Sequence, residues 1–171
     1  MKKILLVSTI PLIAFIAQAQ ISFGAKGGLN LSNFSGTLTA RNIKPGFHIG
    51  GLVNIPVAKQ LSVQPELQYS SEGSKLNERI YNLGYINIPV LLKYNHTSGF
   101  YGEAGPQIGI LTAAKYDGAD VKSGLNKTNI GLGFGLGYKM ESGFGFGARY
   151  TLGFTNILKG AASTELKPNN I

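Results

Sequence analysis

Glycine alternates with large apolar residues through most of the segment 129–154, and this pattern limits the chain to few folds. Its clearest stretch is the run Gly-Leu-Gly-Phe-Gly-Leu-Gly at 131–137. Because successive side chains of a β-strand point to opposite faces, the segment predicts strands with one continuous apolar face. The opposite face carries the glycines together with Lys139 and Arg149, so it is nearly bare or polar.

A soluble β-sandwich hides its apolar face and exposes its polar one. We interpret the apolar face here as lipid-facing and the glycine face as the lining of a narrow lumen, because small side chains let the walls of a barrel approach one another. Only 14% of the residues are charged, against about 25% in a typical soluble domain. The sequence therefore predicts an all-β fold, an antiparallel up-and-down transmembrane β-barrel of the eight-stranded type.

The first residues resemble a secretory signal peptide. Lys2 and Lys3 precede an apolar run at 4–16, and Ala-Gln-Ala at 17–19 supplies the small residues of a cleavage site. The run is shorter than the about 20 residues that a membrane-spanning helix needs. We predict a signal peptide at 1–19 and a barrel domain at 20–171, exported by a bacterium with two membranes.

Seven strands follow from the alternation of apolar with polar or small residues. They are predicted at 21–31, 46–55, 61–70, 85–94 and 100–111, with two more between 129 and 154. Long loops are predicted at 32–44, 71–80 and 112–127, and short turns follow the second, fourth and sixth strands. This alternation of connection lengths predicts a periplasmic N-terminus and long loops that face outward.

Four motifs cover most of the predicted barrel. They are Gly-Ala-Lys-Gly-Gly-Leu-Asn at 24–30, Val-Gln-Pro-Glu-Leu-Gln-Tyr at 63–69, Tyr-Ile-Asn-Ile-Pro-Val-Leu-Leu-Lys-Tyr at 85–94 and Gly-Glu-Ala-Gly-Pro-Gln-Ile-Gly at 102–109. Together they resemble the small outer-membrane barrel proteins of Bacteroidetes often called the PorT family. The resemblance implies an eight-stranded barrel of the OmpA and OmpX type in the outer membrane, and a namesake that takes part in protein secretion.

The C-terminal region departs from that family. Its members end in an eighth strand that finishes on an aromatic residue, whereas residues 156–171 are predicted here as the last outer loop. An antiparallel barrel built from one bacterial chain needs an even number of strands. We therefore predict a C-terminally truncated domain of seven strands in which the last strand is missing. The alternative is that the first and seventh strands meet imperfectly and leave exposed edges, which are a liability in any sheet.

Four charged residues occupy inward-facing positions of the predicted strands: Lys26, Glu66, Glu103 and Arg149. Each lies roughly four to six residues from the periplasmic end of its strand, at a rise of about 3.3 Å per residue, so they share one level. Charges in a narrow lumen need partners or water, and we predict a structural salt-bridge network. An ion path or gate is the alternative. A retaining glycosidase pair of Glu66 and Glu103 is disfavoured, because a saccharide would have restricted access.

No catalytic residue, cofactor site or metal site is predicted. His48 faces inward and His96 lies on a short turn, so the two histidines do not share a triad or a metal. The chain has no cysteine, which excludes disulfides and thiolate ligands. The glycine run at 131–137 fits a strand better than a nucleotide-binding loop, since no helix follows it. The net charge of +8 is scattered along the chain rather than clustered with aromatic residues, which argues against nucleic acid.

We expect a monomeric outer-membrane protein without enzymatic activity, whose loops contact lipopolysaccharide or partner proteins. A transport or protein-secretion accessory role is the first alternative, and it would depend on the lumen charges. A secreted soluble barrel that binds a lipophilic ligand is the second alternative, and it would place the apolar face inward.

Overall fold

The computed structural model of the chain describes residues 20–36, 42–76, 79–116, 119–156 and 166–171. The predicted signal peptide at 1–19 lies outside these residues. Almost all of the described chain is β-strand, with one 3₁₀ turn at Lys122–Gly124. The strands are β1 Ser22–Gly36, β2 Asn42–Pro56, β3 Leu61–Leu76, β4 Arg79–Asn95, β5 Phe100–Tyr116, β6 Ala119–Asp120, β7 Thr128–Lys139, β8 Gly145–Gly153 and β9 Leu166–Asn170.

Eight of these strands form a closed antiparallel barrel. The order of neighbours is β4-β3-β2-β1-β9-β8-β7-β5, and β4 also pairs with β5, which closes the sheet on itself. The two-residue β6 pairs with β5 and extends the wall at one rim. The all-β antiparallel barrel predicted from the sequence is thus confirmed.

No helix in the described part of the chain is long and apolar enough to cross a membrane.

The prediction of seven strands with the last one missing is wrong, because β9 is the eighth strand of the barrel. It pairs with residues 32–36 of β1 on one side and with residues 151–152 of β8 on the other. Its sequence Leu-Lys-Pro-Asn-Asn lacks the alternation that identifies the other strands. The strand conformation of β9 depends on the two neighbouring edges, which supply partners for its backbone.

The strands also run further than predicted into the segments expected to be long loops. β3 and β4 stay paired as far as Leu76 and Arg79, so most of the predicted loop at 71–80 is barrel wall. Likewise β1 continues to Gly36, β2 begins at Asn42 and β5 continues to Tyr116. Polar residues interrupt the apolar outer face in these extensions, and Leu83 and Ala114 are apolar on the inner face, so the period of two with an apolar outside does not identify them. Cross-strand backbone hydrogen bonds need no apolar face.

Side chains alternate across the wall as predicted. On β3, Glu66 and Gln68 point inward and are buried, whereas Leu67 and Tyr69 point outward and are exposed. The same holds on β4, where Ile88 faces outward. Because the apolar face is the outer one, a soluble barrel with an apolar lumen for a lipophilic ligand is ruled out.

The two ends of the barrel differ. One end, called here the short-turn end, carries Gln20 and the turns at 57–60, 96–99 and 140–144. The other end, the long-connection end, is filled by buried apolar side chains, which we call the apolar cluster: Leu83, Tyr85, Leu111, Ala114 and Leu125. A cavity of about 1110 Å³ lies in the lumen, and its lining runs from the short-turn end past Arg149 and Glu103 to Asn30 and Asn87. The apolar cluster was not anticipated from the sequence.

Candidate functional site in the barrel lumen

Arg149 lies at the centre of the lumen charges. Its Nη1 and Nη2 atoms each donate a hydrogen bond of 2.8 Å to one oxygen of Glu66. Its Nε and Nη2 atoms donate to Oε1 of Glu103, at 2.8 and 2.6 Å. One guanidinium thus joins two carboxylates with the forked geometry that favours arginine over lysine.

The strand register explains why Glu103 and Arg149 meet. Both are paired with Gly135, Glu103 from β5 and Arg149 from β8, so β7 runs between them. Glycine has no side chain, and the two long side chains therefore reach each other across β7. A Cβ atom at Gly135 would lie 2.8 Å from Oε1 of Glu103, which is closer than such atoms approach.

Lys26 also approaches Glu66, from β1, which is separated from β3 by β2 alone. Its Nζ atom is 3.7 Å from Oε2 of Glu66. Lys26 on β1 is paired with Gly50 on β2, which in turn is paired with Gln68 on β3. Gly50, which has no side chain, therefore lies between Lys26 and the strand that carries Glu66.

Glu66 is the most enclosed member of the network. Its side chain is 0% exposed, against 5% for Glu103, 12% for Arg149 and 27% for Lys26. Gln64 donates a 2.7 Å hydrogen bond to Oε1 of Glu66, and Gln68 donates to Oε2. Both carboxylate oxygens of Glu66 are therefore fully engaged, as a buried charge requires. The structure brings together all four charged residues selected from the sequence.

Lys93 is a fifth lumen charge that the sequence analysis missed. It is buried, its Nζ atom lies 3.5 Å from the centroid of the Tyr101 ring, and it donates a long 3.5 Å hydrogen bond to Gln64. The signal was present in the alternation of β4. With Ile86, Ile88, Val90 and Leu92 outward, the odd-numbered residues of that strand must face inward.

A second polar layer lies above the charge network, toward the long-connection end. Glu72 accepts hydrogen bonds from Ser70 at 2.9 Å and from Asn87 at 3.1 Å. Asn30 donates to Ser70 at 2.8 Å, and its Oδ1 lies 2.7 Å from Nδ1 of His48. The sequence predicts a loop at 71–80, whereas Glu72 lies on β3 and is buried.

The histidines lie on different elements. His48 is on β2 in the polar layer, whereas His96 lies in the turn between β4 and β5, where its Nδ1 is 2.7 Å from the Ser98 hydroxyl. In the part of the chain that the structure describes, no group of histidine and acidic residues has a geometry that holds a metal ion.

The arrangement is suited to bracing the wall rather than to chemistry on a substrate. Four strands contribute to the ion pairs: β1, β3, β5 and β8. Both carboxylates accept hydrogen bonds from Arg149, so neither is a free acid or base of the kind that a glycosidase needs, although Glu103 lines the cavity. Above them, the apolar cluster fills the lumen.

No curated protein and no solved structure gives a significant match to this chain. One protein family does, and its description is an outer membrane protein β-barrel domain. The match covers residues 16–159, which is most of the chain and all but the last of the barrel strands. The apolar outer surface, the polar lumen and the eight antiparallel strands are the features expected of such a domain. The chain belongs to the family of outer membrane proteins with this β-barrel domain.

Proposed function

We propose that the protein is a closed, non-catalytic outer-membrane barrel that acts through its rim rather than through its lumen. The observation that carries this proposal is the obstruction of the lumen at the long-connection end. The apolar cluster fills this end, and Arg149 with its two carboxylates narrows the middle of the barrel, beside the lumen cavity. The interior of an eight-stranded barrel is only wide enough for side chains to fill. A conducting barrel of this size would therefore need a continuous water-filled path between its side chains.

The proposal includes an orientation and a set of partners. A periplasmic short-turn end and an outward long-connection end agree with the usual arrangement of bacterial barrels. Exposed lysines near the outer rim, Lys115 and Lys127, are suited to anionic lipopolysaccharide. Partner proteins would contact the same rim, and the barrel itself would be a monomer.

A transport or secretion accessory role is the second candidate. It is favoured by the lumen cavity of about 1110 Å³, which has room for a small solute or a peptide. The resemblance of four sequence motifs to the PorT-type barrels of Bacteroidetes supports the same candidate.

Planar-bilayer conductance distinguishes the two candidates. We expect no single-channel steps from the wild-type barrel. The comparison variant carries Tyr85→Ala and Leu111→Ala, which removes two facing members of the apolar cluster. Steps from the wild type that change with Glu66→Gln or Glu103→Gln would contradict the closed barrel and support transport.

Binding to lipopolysaccharide is expected to depend on the charge of one rim. Replacing Lys115 and Lys127 with glutamine should weaken binding to lipopolysaccharide vesicles by roughly thirty-fold, at about 1 kcal/mol for each cation near an anionic surface. The matched control replaces Lys59 and Lys139, which are exposed at the short-turn end. Equal losses in the two double variants, measured by co-sedimentation, would contradict the proposed orientation.

A further inference from the structure

Lys93 is a buried cation that the charge network does not neutralise. Lys26 and Arg149 carry two positive charges against the two carboxylates of Glu66 and Glu103, so these four residues are neutral together. Lys93 is only 8% exposed, and it forms no ion pair with a described residue. Burying an unpaired charge is costly, and an ionisable residue inside a membrane-spanning segment points to function. Its charge therefore calls for a partner other than the described wall.

The strand register places a carboxylate beside Lys93, but that carboxylate is occupied. Lys93 is paired with Glu103 across β4 and β5. Oε1 of Glu103 accepts hydrogen bonds from Arg149 at 2.8 and 2.6 Å. Lys93 lies instead over the ring of Tyr101, with its Nζ atom 3.5 Å from the ring centroid. An aromatic face attracts a cation but leaves its charge uncancelled.

The ammonium of Lys93 keeps donors for a ligand. It carries three N–H groups, and among the described residues its hydrogen-bond partner is Oε1 of Gln64, at a long 3.5 Å. Lys93 and Tyr101 both line the lumen cavity. Within the same part of the chain, the Tyr101 hydroxyl has no hydrogen-bond partner. Both groups can therefore donate to a molecule in the cavity.

The wall that carries these donors is continuous. Gln64, Lys93 and Tyr101 lie on β3, β4 and β5, and each of these strands is paired with a neighbour on both sides. In the register, Lys93 lies between Ser62 and Glu103. The position of the ammonium thus follows from complete strand pairing, and the donors form one face of the lumen.

The lumen cavity connects Lys93 with the short-turn end. Its lining includes Thr97 and Ser98, which are exposed in the turn between β4 and β5. Lys139 and Glu141 also line it and are exposed at the same end, where their opposite charges offset each other. The excess positive charge of the cavity is therefore that of the buried Lys93.

We propose that the lumen holds a small oxyanion, a carboxylate or a phosphate group of a solute, with Lys93 as its counter-charge. An oxyanion accepts hydrogen bonds from the ammonium and from the Tyr101 hydroxyl, and charge-assisted bonds are the stronger class. The cavity of about 1110 Å³ has room for the solute that carries the group. The apolar cluster fills the long-connection end, so the anion is bound without being conducted. This site goes beyond the rim function proposed above and does not depend on it.

Equilibrium dialysis of the refolded full chain in an uncharged detergent tests the proposal. The probes are radiolabelled inorganic phosphate and radiolabelled succinate at pH 7 and low ionic strength. We expect binding, and we expect Lys93→Met to weaken it at least tenfold, because the lost hydrogen bond joins two charged groups. Lys93→Arg keeps the charge over the Tyr101 ring and is expected to stay within threefold of the wild type. Binding of phosphate alone identifies a phosphate site, and binding of succinate alone identifies a carboxylate site.

Two control variants separate the buried site from surface charge. Lys59→Met removes an exposed cation of the short-turn end, and the pair Lys115→Met and Lys127→Met removes two exposed cations near the outer rim. Both variants are expected to bind the probe within twofold of the wild type. Heat-modifiable gel mobility equal to that of the wild type shows that the Lys93→Met barrel has folded.

A measurement on the wild type keeps the proposal testable if Lys93→Met does not fold. Saturating probe is expected to shift the backbone amide NMR signals of Lys93 and Tyr101 and to leave that of the outward-facing Leu67 unchanged. Three results would overturn the proposal. They are no binding of either probe, an equal loss of affinity in Lys59→Met and Lys93→Met, and saturation without a shift at Lys93 and Tyr101.

Discussion

Replacing Arg149 with methionine is expected to lower the free energy of unfolding by about 3–5 kcal/mol, because two buried carboxylates lose the cation that they share. Glu66 and Glu103 each lose their charge-assisted hydrogen bonds to the guanidinium, and Lys26 at 3.7 Å from Glu66 is too distant and too exposed to replace them. The measurement is urea-induced unfolding of the refolded barrel in lipid vesicles, followed by heat-modifiable mobility on a gel.

The compensating variant separates charge from packing. Combining Arg149→Met with Glu66→Gln and Glu103→Gln removes the buried charges together, and the triple variant is expected to recover most of the lost stability. Arg149→Lys should be intermediate, since an ammonium does not form the fork that bonds two carboxylates at once. If Arg149→Met alone is within about 0.5 kcal/mol of the wild type, the range typical of substitutions at unimportant surface sites, the network does not brace the barrel.

Gly135→Ala is expected to cost about 1–3 kcal/mol, which is large for the addition of one methyl group. The new Cβ atom would lie 2.8 Å from Oε1 of Glu103, 2.9 Å from its Cγ and 3.1 Å from the backbone oxygen of Ala148. Glu103 would have to move away from Arg149, and the backbone oxygen is not free to move. Unfolding in the same vesicles measures the loss.

Gly133→Ala is the matched control, two residues earlier on the same face of β7. Its Cβ atom would meet Cδ of Arg149 at 3.5 Å, an ordinary contact. This substitution should be neutral or stabilising by about 0.4–1 kcal/mol, because alanine reduces the freedom of the unfolded chain. Equal losses at the two positions would show that β7 requires glycine for a reason other than the side chains that cross it.

These expectations assign the lumen charges to stability, which is consistent with a barrel that acts through its rim. Ion pairs from four strands resist separation of the wall. Arg149 lies against the carboxylates of Glu66 and Glu103, and Lys93 lies over the ring of Tyr101. Activity carried by the rim would survive Glu66→Gln, whereas activity carried by the lumen would not.

The sequence alone determined the strand faces, and with them the barrel class. Alternation places Glu66 inward and Leu67 outward whatever the partners of β3 are, because the period of two is a property of the strand itself. The same argument identified Lys26, Glu103 and Arg149 as lumen residues, since each lies on the small or polar face of its own strand. The same alternation on β4 places Lys93 inward, between the outward Leu92 and Tyr94.

The tertiary structure decided everything that depends on a neighbouring strand. The eighth strand, β9, has no alternation of its own and forms where β1 and β8 present their edges. The burial of Glu72 and the apolar cluster depend on how far β3, β4 and β5 continue beyond the segments in which the outer face is apolar and the inner face polar. The pairing of Glu103 and Arg149 across Gly135 is fixed by register, and register is a relation between strands that one strand's sequence does not contain.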